Sequence, residues 1–126
     1  MMSTRTRVET KSENFSGVLA APAGTVLTLV NILVPPRATL RPRAYGNYLG
    51  VVANWAKVRW DLWVNGCPMY PYVAIRDQIG YGAARQPIEG KSVPGGSLFQ
   101  ITVTQESGVA DNNAGVSLEW DMEYPS

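Results

Sequence analysis

From Val116 to Tyr124 every second residue is apolar: Val116, Leu118, Trp120, Met122 and Tyr124 alternate with Ser117, Glu119, Asp121 and Glu123. A side-chain period of two places one residue type on one face only when the backbone is extended, so this run predicts a strand with a core on one side. Two further runs behave alike. In Lys57 to Val64 the apolar set is Val58, Trp60, Leu62 and Val64, opposite Lys57, Arg59, Asp61 and Trp63. In Ser97 to Thr104, Phe99, Ile101 and Val103 alternate with Gln100, Thr102 and Thr104. Thr25 to Val34 is apolar in both phases, which predicts a central strand covered on both sides or one buried at an interface. Weaker strand patterns cover Gly17 to Ala20, Ala38 to Tyr45, Gly50 to Asn54 and Met69 to Ile75.

Turn chemistry separates these runs. It is read at Ala21-Pro22-Ala23-Gly24, Pro35-Pro36, Gly46-Asn47, Asn65-Gly66, Pro94-Gly95-Gly96 and Asp111-Asn112-Asn113 before Gly115. No stretch of helical length shows a 3.6-residue period. The chain is therefore expected to be all-β, an antiparallel β-sandwich of jelly-roll-like form. Asn65-Gly66 is the strongest of the turn signals, because both residues tolerate the positive φ of a two-residue hairpin turn. Pro68 and Pro71 follow it, so Cys67 to Tyr72 is expected at a sheet edge or in an extended connection. Cys67 beside that turn reads as a small packing residue.

The 126 residues suffice for one core and not two. Met1 to Ser16 has few sizeable apolar side chains, notably Val8 and Phe15, and is expected to be a flexible N-terminal arm preceding a single sandwich domain over residues 17–126. An arm that orders only when laid across a neighbouring subunit would bring Arg5, Arg7 and Lys11 to that contact. Its polarity also argues against a signal peptide, and no apolar run approaches the ~20 residues of a spanning helix. Synthesis in a cytoplasm, with no membrane partner, is the expectation.

Charge is distributed unevenly. All eleven basic residues lie at or before Lys91, with five acids among them, whereas residues 92–126 hold five acids and no base. The overall charge of +1 gives no field that would favour nucleic acid. Arg37, Arg41 and Arg43 with Tyr45 and Tyr48 are a weak match to a single-strand-binding surface.

Histidine is absent, which removes His-dependent triads and the usual zinc sites. The single cysteine, Cys67, excludes an intrachain disulfide. Scattered carboxylates leave a small hydrolase formally open, although Glu119, Asp121 and Glu123 would lie along one strand and not across a cleft. No metal or cofactor is expected, and no catalytic residue is assigned. The positive signal is a pair of charged rows, Lys57 with Arg59 and Glu119 with Asp121 and Glu123. As neighbours they would pair with each other; on separate sheets each would be available to another molecule, with Trp63 as the anchor of the contact. Tyr70 and Tyr72, beyond the Asn-Gly corner, offer a further aromatic contact patch.

The segments GVLAAPAGT, KVRWDLWVNG, VPGGSLFQITVT and VSLEWDMEY, behind a polar arm, resemble in style the small jelly-roll cement or decoration proteins of tailed-bacteriophage heads. The resemblance implies a non-enzymatic virion protein on the capsid surface. Its partners would be the major capsid protein and copies of itself, as an oligomer such as a homotrimer. The alternative is a carbohydrate-binding module stacking sugars on Trp55, Trp63, Tyr70, Tyr72 or Tyr81.

Overall fold

A computed structural model describes residues 6–20, 22–49, 58–69, 82–87, 92–106 and 112–125, the stretch 82–87 through its backbone. Nine strands occur in these residues: β1 (Thr6–Leu19), β2 (Val26–Leu33), β3 (Thr39–Leu49), β4 (Val58–Val64), β5 (Cys67–Pro68), β6 (Gly82–Pro87), β7 (Val93–Pro94), β8 (Leu98–Gln105) and β9 (Asn112–Pro125). One sheet runs β1-β9-β3-β6, with the two-residue β7 also against β3; the second runs β2-β8-β4-β5. Every pairing is antiparallel.

Four of the pairings are nested one inside the next. β4 pairs with β5, β3 with β6, β2 with β8 and β1 with β9. This is one long hairpin wrapped into two sheets, the jelly-roll form of the sandwich. Its innermost turn is Asn65-Gly66, whose φ angles of 52° and 77° fit the expected two-residue turn. That corner is structural. Asn65 Oδ1 accepts from Leu98 N at 2.8 Å, Asn65 N donates to Leu98 O at 2.9 Å, and Asn65 Nδ2 reaches Ser97 Oγ at 3.2 Å. β5 follows as an edge strand, in keeping with its Pro68. Met69 beyond it is buried and donates its N–H to Leu62 O at 2.8 Å.

The three alternating runs bury the expected faces. Val58, Trp60, Leu62, Phe99, Ile101, Val103, Val116, Leu118, Trp120 and Met122 are all core residues, and Val64 and Tyr124 pack against them. At ~1.5 to 3 kcal/mol for each large side chain fully removed from water, this face supplies the dominant favourable term in folding.

Several expectations are corrected. Residues 6–16 are not a free arm: they form most of β1, which pairs with β9 without a register break from Thr6↔Pro125 to Leu19↔Asn112. The segment buries few side chains, in line with its composition, and Phe15 and Leu19 anchor its far end. What aligns the rest is the backbone ladder, which composition does not report. β2 is an edge strand and not a central one. Its apolar residues occupy both phases because a bulge between Thr28 and Val30 shifts the register, so Leu27 before it, Leu29 within it and Val30 after it all serve the core. Gly46-Asn47 is no turn but lies inside β3, and Asn112 and Asn113 already belong to β9. Cys67 is exposed, because the Asn-Gly turn carries it past the end of the core. The expected strand over Gly50 to Asn54, and that from Met69 to Ile75 beyond Met69 itself, lie outside the described residues.

Candidate functional site

The outer face of the first sheet carries a charged ladder. β9 contributes Glu119, Asp121 and Glu123, at the centre of the sheet between β1 and β3. Arg41 Nε donates to Glu123 Oε1 at 2.8 Å, and Arg43 Nη1 to Asp121 Oδ2 at 2.9 Å. From the other side Thr10 Oγ1 donates to Asp121 Oδ1 at 2.8 Å. Asp121 is thereby buried with both carboxylate oxygens engaged, which is what makes its burial tolerable. Glu119 is half-buried, across from Ser12 and Ala44.

Asp121 and Glu123 therefore find basic partners in Arg43 and Arg41 of β3. β4 lies in the opposite sheet, where Arg59 Nε lies 3.0 Å from each carboxylate oxygen of Asp61. Trp63, beside them, is half-buried and its Nε1 donates to Thr102 Oγ1 at 2.7 Å. Arg7 and Lys11 stand exposed on β1, 3.6 Å and 3.4 Å from Glu9, and the Arg7 guanidinium lies 4.6 Å from the Tyr124 ring centre. Of the sequence-derived contact residues, Arg7, Lys11, Glu119, Asp121 and Glu123 thus share one sheet, and Arg59 and Trp63 the other. Arg5, Lys57, Tyr70 and Tyr72 lie outside the described residues.

The arginine and tyrosine surface suggested for single strands does not assemble. A bulge at Arg43, between Pro42↔Trp120 and Ala44↔Glu119, inverts the alternation of β3 and turns Tyr45 into the core. Burial drives the Tyr45 phenol far above its ordinary range; the neighbouring Asn47 amide opposes this and the Asp61 charge adds to it. Tyr45 Oη and both amide atoms of the buried Asn47 close no hydrogen bond among the described residues.

Two features escaped the sequence reading. The first is a shallow trough of about 420 Å³ across β1, β9 and β3. Its lining is uncharged: Asn14 and Ser16, Gly115 and Ser117, Gly46 and Asn47, with Tyr48 exposed at one side. A Cβ on Gly115 would stand 3.1 Å from Phe15 O, so the floor is open because that position carries no side chain. Gly46 and Gly115 are visible in the sequence, but their places on neighbouring strands, opposite Ser117 and Tyr48, are not.

The second feature is a flank. Among the described residues β1 and β2 each form one edge of their sheet, and they adjoin: a Cβ on Gly17 would meet Leu27 Cδ2 at 3.1 Å. Val8 and Val18 on β1 and Val26 and Leu33 on β2 are between 52% and 67% exposed, and together with Tyr48 they are the exposed large apolar residues of the described chain. Among the described residues no group of three potential ligands could hold a metal ion, and no helix is long and apolar enough to cross a membrane. Comparisons with protein-family models, curated proteins and solved structures give no match.

Proposed function

We propose that the chain is a non-enzymatic structural protein that decorates and stabilises a bacteriophage capsid by bridging neighbouring major capsid subunits as an oligomer. The observation that carries this reading is the flank: four exposed valine and leucine side chains on two adjoining edge strands. Such a flank offers both apolar contacts and strand edges to a neighbouring protein. Jelly rolls recur in viral capsid and lectin domains, so the topology admits the reading and the flank favours it. On a symmetric shell, many weak contacts of this kind would add through high effective concentration.

The test is co-sedimentation with purified shells of the virus that carries the chain. The parent protein is expected to bind saturably, and Val26→Asp combined with Leu33→Asp to fold normally but lose binding, since both side chains are exposed. A parent that stays in the supernatant at every shell concentration would overturn the reading.

The trough supports a second reading, a module that binds a neutral saccharide. Tyr48 would supply a stacking face, and the Asn14 amide and Ser16 hydroxyl hydrogen bonds to sugar hydroxyls. Titration with neutral oligosaccharides is expected to give saturable heat, weakened at least about tenfold by Tyr48→Ala. Absence of heat across a glycan panel would remove this reading.

A further inference from the structure

We propose that β1 pairs edge to edge with β1 of a second copy of this chain, antiparallel and about a two-fold axis at Thr10, so that two sandwiches share one continuous sheet. The inference rests on β1 itself and not on the capsid reading. β1 is 14 residues long, contains no proline and pairs with β9 without a bulge, and among the described residues no strand lies on its other side. Natural sheets blunt an edge of this length with a proline, a bulge or inward-pointing like charges. Here the charges are present, but their order is one that suits a partner.

Arg7, Glu9, Lys11 and Glu13 occupy successive positions on one face of β1, opposite Tyr124, Met122, Trp120 and Leu118 of β9. The face is that of the core, yet the four side chains lie at its rim and remain solvent-accessible, Glu9 partly and the other three as exposed residues. Their signs alternate. With the axis at Thr10, Arg7 stands opposite Glu13 of the second copy and Glu9 opposite Lys11, and the two-fold repeats both pairs. All four charges of each copy then meet an opposite charge. A register two residues shorter or longer brings Glu9 opposite Glu9 and Arg7 opposite Lys11, or Lys11 opposite Lys11 and Glu9 opposite Glu13. Directly opposed like charges are destabilising, so the row selects one register out of those the backbone allows.

Within one chain the row is incompletely satisfied. Glu9 is shared between Arg7 and Lys11, while Glu13 has no ion-pair partner among the described residues. The second copy supplies one, its Arg7. Pairing of this type is isologous and closes at two copies, so it makes a dimer and no filament. It also hides the unpaired N–H and C=O groups of both β1 edges.

Sedimentation equilibrium of the full chain in low salt tests this directly. The parent is expected to dimerise, and the dimer to weaken as salt screens the row. Glu9→Lys with Glu13→Lys makes an all-basic row, and Arg7→Glu with Lys11→Glu an all-acidic one. Each variant alone is expected to self-associate at least about tenfold more weakly, and an equimolar mixture to recover a dimer, which only folded chains can do. In a Cys67→Ser background, Thr10→Cys is expected to form an interchain disulfide on oxidation, while Ser12→Cys is not, because Ser12 faces Val8 of the second copy. A parent that is monomeric at every concentration would overturn the proposal. So would charge variants that dimerise as tightly as the parent, or a mixture that fails to associate. None of these outcomes involves a capsid, so they leave the capsid reading to its own test.

Discussion

Replacing Trp60 with alanine is expected to lower the unfolding free energy by about 3 to 5 kcal/mol, read from urea unfolding followed by circular dichroism. Trp60 is fully buried on β4, opposite Val103 of β8, and it is the largest fully buried side chain in the core. The space it leaves is bounded by two hydrogen-bonded sheets, so collapse around the void would be partial. A domain of this size has on the order of 5 to 15 kcal/mol in hand, and the variant would retain a small part of it. Trp63, three residues on, is the control. It lies on the outer face, half-buried, with one hydrogen bond to Thr102, and its replacement by alanine is expected to cost about 1 to 2 kcal/mol. A larger cost at Trp63 than at Trp60 would show that β4 faces the other way.

The second large effect is expected from Gly95→Ala. Gly95 lies in the turn between β7 and β8, and a Cβ there would stand 2.6 Å from Arg37 N, 2.7 Å from Pro35 O and 3.0 Å from Ala38 O. These are backbone atoms of the turn between β2 and β3, and they have no rotamer through which to move aside. The two turns are held together by Gly96 N donating to Val34 O at 2.8 Å and Val34 N to Ser97 O at 2.9 Å, so separating them breaks hydrogen bonds as well. A destabilisation of about 3 kcal/mol is expected by calorimetry or urea unfolding. Gly66→Ala provides the contrast. Gly66 has a positive φ but open space around it, so its substitution meets only backbone strain of about 1 to 2 kcal/mol. A Gly95→Ala protein as stable as its parent would mean that the two turns do not touch.

The contact residues drawn from the sequence divide along a clear physical line. Alternation alone places Glu119, Asp121 and Glu123 on the outer face of one strand. Whether Lys57 and Arg59 pair with that row or lie apart from it is left open by the sequence, and the arginines that pair with Glu123 and Asp121 are Arg41 and Arg43, because rows of opposite charge look the same in a sequence whichever strands carry them. The exposed Val8, Val18, Val26 and Leu33 were each visible as apolar residues. Their placement on two adjoining edge strands is decided by strand order.

Alternation by itself determined that this chain is built of strands and which side chains of β4, β8 and β9 enter the core, and turn chemistry that Asn65-Gly66 is a hairpin turn. Those properties are local: the period of two and the steric cost of positive φ act within a few residues. Tertiary structure alone decided that β1 is a strand, that β2 is an edge and that Tyr45 faces inward. The first depends on a backbone ladder with β9, about a hundred residues away, which involves no side-chain code. The other two depend on strand order and on bulges in β2 and β3, each of which inserts one residue and inverts the pattern that follows. A sequence records which face a residue prefers, whereas its neighbours on that face are chosen by long-range pairing.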